Sequence, residues 1–441
     1  MLSGHAIVGN RWDALAGLWP NEPPLVSVIV VHYEQQSELD RTLLALSLQD
    51  YPSDRLEIIV VDDGSHQAPT VPDGIVLVRQ KDLGFRASAA RNLGVTHSSG
   101  EILCFLDADT SPEPDYIRQI TRLPALSQDV VAVGHRRHAD FSRSPQPGVA
   151  HADAVALPSP QWLVDAYNQS NDLLIADNRS YRFIISAVLT CSRALFDEVG
   201  GFDESFDDYG GEDWEWAHRA WLAGAVFAHV PDAVAWHDGP DWAGREADDP
   251  QRVATKNQET LILSHLIPVA GSRGHAIRGP VADVVVVLQS APSIAAAFVC
   301  IDSILEALPH ATCVVPPEAM GPLGSDSRVL SSDSPAAADL IQKARVIVEV
   351  PHPVRVTQPP ALQEGASEGL RSAIDRVGTN AVGSIVFITE NGRVLVSAQR
   401  AARRAARWGR DDLFTQEEIA ADWFTVLDTE PRLAPYLGGW G

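Results

Sequence analysis

The sequence predicts an α/β protein, with a mostly parallel sheet covered by helices on both faces and a second, smaller α/β domain behind it. Three observations lead there. Apolar runs of five or six residues recur at 26–31, 57–61, 75–79 and 102–106. Segments of helical length separate them, as expected for strands buried on both faces. Two of the runs end in paired carboxylates, Asp62-Asp63 and Asp107-Ala108-Asp109. In open sheets of this kind ligands bind beyond the carboxyl ends of the strands, so one edge gathers Tyr33, Asp62, Asp63, Asp107 and Asp109.

Taken in order, a helix over 37–49 follows the first strand, and Asp62-Asp63-Gly64-Ser65 closes the second as a turn. After the third strand come a helix over 87–96 and the strand over 102–106. Further on, the pattern predicts a helix at 114–122, a strand at 130–134 and an irregular stretch to about 160. A strand at 183–190, a helix at 212–222, a strand at 226–230 and a helix at 248–265 complete the first domain. A Gly- and Ser-containing segment, 268–280, reads as a linker. Strands at 284–288, 346–350, 384–389 and 393–397, with Ala-rich helices between them, form the second domain, in which 325–335 is a polar loop. The expected division is therefore an extension (1–23), a first domain (24–267), the linker and an accessory domain (281–441).

The chain has 441 residues, 34 Lys and Arg against 58 Asp and Glu, and a formal charge of −24. Such an acidic surface is repelled by nucleic-acid phosphates and anionic membranes, which argues against a nucleic-acid binder. Cys104, Cys191, Cys300 and Cys313 form no CxxC pair and read as small buried hydrophobes in a reducing compartment. No signal peptide or membrane-length apolar run is present, so a soluble cytoplasmic protein is expected, in which the sequons at Asn168 and Asn178 go unused.

Several motifs carry chemistry. Asp107 and Asp109 directly follow a buried strand, so both can offer oxygens to one hard divalent cation; the competing reading is a solvated turn. With 37 Asp in the chain, about three such triplets arise by chance, and only the setting strengthens this one. Asp63 could accept from a nucleobase or ribose, and Tyr33 could stack on a base. Between these strands Arg86 and Arg91 lie five apart; Arg86 is the better phosphate ligand and Arg91 the more structural.

Gly210-Gly211-Glu212-Asp213-Trp214 turns the backbone into a helix that begins on two carboxylates. By the helix dipole alone Asp213 stays ionised, as a general base requires. Five tryptophans, at 214, 216, 221, 236 and 242, fall within 29 positions. They serve either as core or, at Trp214 or Trp216, as a sugar-stacking platform. His237 can offer a neutral imidazole to a metal held otherwise by carboxylates.

Five stretches in this order resemble the family-2 glycosyltransferases with the GT-A fold: Ser27-Val28-Ile29-Val30-Val31-His32-Tyr33, Val61-Asp62-Asp63-Gly64-Ser65, Ala90-Arg91-Asn92-Leu93-Gly94, Leu106-Asp107-Ala108-Asp109, and Gly200-Gly201-Phe202-Asp203-Glu204 followed by Glu212-Asp213. The resemblance covers about residues 24–265 and implies a doubly wound mixed sheet. It also implies a nucleotide-diphospho-sugar donor, with Tyr33, neighbouring Glu34 and Asp63 about the nucleobase. Arg86 would face the diphosphate, and Trp214 would line the donor side. Asp109, His237 and Asp107 would hold Mn²⁺ or Mg²⁺, with Asp107 also turned to the ribose or sugar. Asp213 would deprotonate an acceptor hydroxyl, and Glu212 would bond the acceptor or donor sugar.

The expected reaction is an inverting, metal-dependent transfer of a hexose, with UDP-glucose as the expected donor. The acceptor would be small, of the aminocyclitol kind found in antibiotic biosynthesis; a cell-envelope saccharide is the alternative. Ser186-Ala187-Val188 departs from the Gly-Asn or Gly-Gly pair of relatives, and the Gln/Arg-x-x-Arg-Trp segment of processive members is absent. A nucleotidyltransferase or a silent nucleotide-sugar-binding module are the rival classes. In the accessory domain Arg400, Arg403, Arg404, Arg407 and Arg410 make a basic helix, read mainly as docking on the first domain or on a second copy in a homodimer, and otherwise as a site for an anionic substrate.

Overall fold

The computed structural model describes residues 4–142, 155–207, 210–240, 250–357 and 369–439, without the side chains of residues 251 and 252. The chain divides into two compact units, Met1–Leu263 and Ser264–Gly441.

In the first unit, β1 (Val26–His32), α1 (Gln36–Ser47), β2 (Leu56–Asp62), β3 (Val76–Arg79), α2 (Ala87–Thr96) and β4 (Ile102–Asp107) form the parallel half of the sheet. The rest comprises β5 (Thr110–Pro112), α3 (Tyr116–Leu126), β6 (Val130–Asp140), β7 (Val155–Leu157), α4 (Gln161–Ser170), β8 (Val188–Ser192), α5 (Arg193–Val199), α6 (Glu212–Leu222), β9 (Val226–Asp238) and α7 (Pro250–Leu266). The strand order is β3-β2-β1-β4-β8-β6-β9-β5, with β7 beside β6. β1 pairs in parallel with both β2 and β4, and the chain leaves β1 toward one side first and the other later. The topological switch point therefore lies between β1 and β4, where Tyr33 and Asp107 emerge. β8 then joins β4 and β6 antiparallel, so the sheet is mixed.

Three strands depart from expectation. β6 and β9 do not stop at 134 and 230 but continue as a long parallel ribbon through an irregularity after Gly134. His135-Arg136-Arg137-His138 reads locally as a loop and becomes sheet by pairing with Val234-Ala235-Trp236-His237, while Pro231-Asp232 falls in the irregularity. The strand expected at 183–190 begins at Val188, because Ser180–Phe183 is a 3-10 turn. The amino-terminal segment is part of this unit. Asn10 is 1% exposed; its side chain donates to the Leu173 and Phe227 carbonyls (2.7 and 2.9 Å) and accepts from the Phe227 N–H (3.1 Å).

The second unit contains β10 (Val284–Leu288), α8 (Ile294–Ala307), β11 (Thr312–Val315), β12 (Val329–Ser331), α9 (Pro335–Lys343), β13 (Val346–Val350), β14 (Val354–Val356), α10 (Leu370–Arg376), β15 (Val382–Thr389), β16 (Gly392–Ala398), α11 (Gln399–Trp408), β17 (Thr415–Ala420), β18 (Phe424–Val426) and α12 (Leu433–Tyr436). Its seven-stranded sheet runs β12-β11-β10-β13-β16-β15-β17, parallel through β13, and β14 pairs with β18. β12 lies inside the stretch read as a polar loop. In the segment read as a linker, Val269 is buried, as an apolar residue of a solvated linker is not.

The basic helix is α11. Arg400 and Arg404 are 2% and 0% exposed, stacked over Phe414 at 5.5 and 4.9 Å. Burial within this unit removes two of the five arginines from a docking face or an anion site. All four cysteines are free and buried, with thiols pushed up by burial, to about 12 for Cys104 and Cys300. No helix among the described residues is long and apolar enough to cross a membrane.

α2 lies close on the parallel half of the sheet through Gly94, where a Cβ would stand 2.5 Å from the Ile29 and 3.0 Å from the Val61 side chain. Gly94→Ala is expected to destabilise the protein by about 1–3 kcal/mol through overpacking, read as a lower urea midpoint.

Candidate active site

The end of β2 delivers two buried carboxylates. Asp62 is fully buried and accepts from Arg79 Nε (2.7 Å), with His32 Nδ1 at 3.0 Å. Asp63 is 4% exposed, and both its oxygens already accept, from Gln80 Nε2 (2.5 Å) and the Arg86 N–H (2.9 Å). Burial pushes the Asp63 carboxyl up, with these donors opposing. A carboxylate has about four lone-pair sites, which leaves room for a ligand N–H.

Tyr33 is 48% exposed at the switch point. Glu34 beside it holds φ = 56°, uncommon for a residue with a Cβ. The Ser65 hydroxyl, accepting from the Glu34 N–H (2.8 Å), and the His66 N–H, donating to the Glu34 carboxylate, fix that conformation. Arg86 precedes α2, and its Nη2 lies 3.5 Å from the Glu204 carbonyl, at the Gly200–Glu204 turn.

Arg91 is the residue that sequence reasoning undervalued. It is 3% exposed and donates from Nη1 to Glu212 Oε1 and from Nη2 to Asp107 Oδ1, both at 3.1 Å. Its guanidinium also lies 5.4 Å from the Phe202 ring. Burial pulls the guanidinium pKa down, but Asp107 and Glu212 more than restore it, so the charge is retained. The next residue, Asn92, donates to the Phe202 carbonyl and accepts from its N–H, each at 2.9 Å. Adjacent side chains of α2 thus tie the β4 tip, the α6 start and the Gly200–Glu204 turn together. A buried arginine among separately recognised acidic motifs was the available signal.

At the start of α6, Glu212 is 7% exposed, and its Oε2 is buried without a partner. Asp213 is partly buried and accepts from the Trp214 N–H (2.8 Å). Its carboxyl does not keep the low pKa that the helix dipole alone suggests. Burial, reinforced by the Glu212 charge and opposed by Arg91, pushes it up to about 7. Trp216 is no platform: it is fully buried, with Phe202 and Phe196 at 5.6 and 5.9 Å. Trp221 is also core, donating to Asn178 (3.1 Å). Trp214 remains half-buried, and Trp242 lies outside the described residues.

The β5–β9 pairing sets Thr110 opposite His237, and the Asp238 N–H donates to the Asp109 carbonyl (2.9 Å). Asp109 Oδ1 consequently stands 3.2 Å from His237 Nδ1. Burial would raise the Asp109 carboxyl, but His237 foremost, then Arg136 and Thr110, hold it below the ordinary carboxylate range. Among the described residues no three His, Cys, Asp or Glu side chains gather closely enough to hold a metal by themselves, and Asp107 is turned to Arg91 rather than to this pair. Adjacent ligand atoms at about 2.1 Å from an octahedral ion are about 3 Å apart, and such ions usually keep phosphate and water ligands. The Asp109–His237 pair fits that arrangement as a two-residue foothold.

A parallel half-sheet, extended by antiparallel strands and tipped by Asp107-Ala108-Asp109, defines a GT-A domain. Residues 27–182 match the model of glycosyl transferase family 2, and residues 176–235 that of the N-terminal domain of galactosyltransferase. This part of the chain is similar to glycosyl transferase family 2. A hyaluronan synthase of Pasteurella multocida is 28% identical over 55% of this chain and 27% of its own length. Validoxylamine A glucosyltransferase of Streptomyces hygroscopicus subsp. limoneus is 30% identical over 44% of this chain and 48% of its own. The chain thus spans between about a quarter and a half of these relatives. A solved mannosyltransferase of Pyrobaculum calidifontis, in complex with GDP-Man and Mn²⁺, is 23% identical over 58% of this chain and 69% of its own, with a TM-score of 0.40.

Because Arg91 neutralises two carboxylates, Arg91→Met leaves Glu212 buried and uncompensated, at an expected cost of about 3–5 kcal/mol. Chemical denaturation of the variant beside the wild type measures it.

Proposed function

We propose that the chain transfers a sugar from a nucleotide-diphospho-sugar to a hydroxyl of a small acceptor, with inversion and with help from a divalent cation. The observation that carries this reading is the grouping of Asp107, Glu212 and Asp213 around the buried Arg91 guanidinium.

In the proposed reaction the acceptor oxygen forms a bond to the anomeric carbon and gives its proton to Asp213. The bond from that carbon to the diphosphate oxygen breaks, and its electron pair leaves with the nucleoside diphosphate. One in-line displacement inverts the carbon and needs no protein nucleophile. A carboxylate titrating near 7 suits a base at neutral pH. Glu212 Oε2, buried and unpartnered, is available to a sugar hydroxyl, while Tyr33, Glu34 and Asp63 flank the nucleobase and Arg86 the diphosphate. Asp109 and His237 hold the cation, and Asp107, oriented by Arg91, faces the donor. When bound, Mn²⁺ or Mg²⁺ supplies neutralising charge for the leaving diphosphate.

The validoxylamine A glucosyltransferase match favours glucose as the transferred sugar; UDP-glucose is the donor and a small secondary metabolite the acceptor in this reading. The hyaluronan synthase match favours a second reading, extension of an acidic saccharide.

Asp213→Asn is expected to lower the transfer rate by about 10²–10⁴-fold while titration calorimetry still records nucleotide binding; substantial turnover in that variant rejects Asp213 as the base. In the wild type, kcat/KM should climb with pH and level off above about 7, because Asp213 acts deprotonated and its carboxyl is raised. Chelation with EDTA should abolish transfer and added Mn²⁺ or Mg²⁺ should restore it, with Asp109→Asn weakening Mn²⁺ binding; full activity in EDTA removes the cation from the mechanism.

A further inference from the structure

We propose that the acceptor rests on a shallow platform between α6 and α7, built from Trp214, Asp207, Lys256 and Glu259, which selects an uncharged or amine-bearing polyol ring over an anionic one. This rests on the transferase reading above and gives it a substrate class.

A solvent-open hollow lies beside the start of α6, lined by Phe206, Asp207 and Gly210 on one side and by Thr255, Glu259 and Ile262 of α7 on the other. The last three share one helical face. Gly210 and Gly211 hold φ of 104° and 93°, and a Cβ on Gly210 would meet Glu259 Oε2 at 2.8 Å. The paired glycines thus let an α7 carboxylate close on the turn that launches Glu212 and Asp213. The Glu259 side chain is only 10% exposed, unlike an ordinary surface carboxylate, and accepts from Lys256 Nζ at 2.6 Å. That ammonium stands 5.2 Å over the Trp214 ring. Glu259 lines the hollow and pairs with Lys256, which stands over Trp214, so these side chains link the hollow to the first turn of α6, where Glu212 and Asp213 lie.

The charges decide the chemistry. At the hollow Asp207 and Glu259 outnumber Lys256. A uronate or phosphate here meets like charge, whereas hydroxyls donate to the carboxylates and an amine pairs with them. The indole face already receives one cation and accepts either an ammonium or the apolar C–H face of a ring. A purely structural role for the Lys256–Glu259 pair within α7 predicts no change in acceptor preference on its removal.

The test compares wild type with Glu259→Gln, Asp207→Asn and Lys256→Met on three matched acceptors: a neutral hexoside, its amino-sugar analogue and its uronate. The expected wild-type kcat/KM for the uronate is at least about tenfold below the other two. Glu259→Gln and Asp207→Asn should each raise acceptor KM well beyond donor KM and shrink the uronate penalty, and Lys256→Met should deepen it. If Glu259→Gln fails to fold, the other two variants carry the comparison. A wild type that prefers the uronate, or penalties unchanged across the variants, overturns the platform. Nucleotide release separates the two readings. A wild type that liberates nucleoside diphosphate from a nucleotide-sugar without discriminating acceptors loses the platform alone. A wild type that liberates none with any acceptor loses the transferase reading and the platform together.

Discussion

One buried guanidinium organises the amino-terminal unit. Arg91 sits between Asp107 and Glu212, carboxylates from the parallel half-sheet and from a helix more than a hundred positions later. Without it the β4 tip and the α6 start would carry like charges into a poorly solvated space, which burial makes costly. With it, each carboxylate is paired and oriented. The same guanidinium tempers Asp213, since it opposes the burial and the Glu212 charge that push that carboxyl up.

The neighbours of Arg91 extend this control. Asn92 clasps the backbone of Phe202, and Phe202 packs against Phe105 and Trp216, so the sheet, the Gly200–Glu204 turn and α6 share one aromatic cluster. Arg219 Nη2 on α6 donates to the Gly201 carbonyl (2.9 Å), tightening the turn from its other side. Residues that read as separate motifs along the chain are thus parts of one packed joint. This explains why Trp216 belongs to the core while Trp214, two positions earlier, faces Lys256.

A second constraint is the long β6–β9 ribbon. Its continuation beyond Gly134 carries β9 to Asp238 and lets β5 pair with it. That pairing alone sets His237 beside Asp109, a contact spanning 128 positions. The accessory unit solves a different problem with the same residue type: Arg400 and Arg404, which look like a surface charge stripe, are packed over Phe414 inside its fold.

The sequence by itself determined the strands of the parallel half, the carboxylates at their tips and the acidic start of α6, because each is written in local spacing: apolar runs of strand length, a turn, a helix opened by paired glycines. It also carried the motif order that marks the family. It did not reveal that β6 and β9 continue past Pro231-Asp232, that of Trp214 and Trp216 the second is core, or that Arg400 and Arg404 are buried. It read Arg91 as the more structural arginine, but not as the link between Asp107 and Glu212. Only the tertiary structure decided these, because a strand that needs a partner, an aromatic ring that needs a cluster and a guanidinium that needs two carboxylates acquire their roles from groups remote in the chain. The raised Asp213 carboxyl is the clearest case: its helix position favours ionisation, and the burial and the Glu212 charge that override it exist only once the chain has folded.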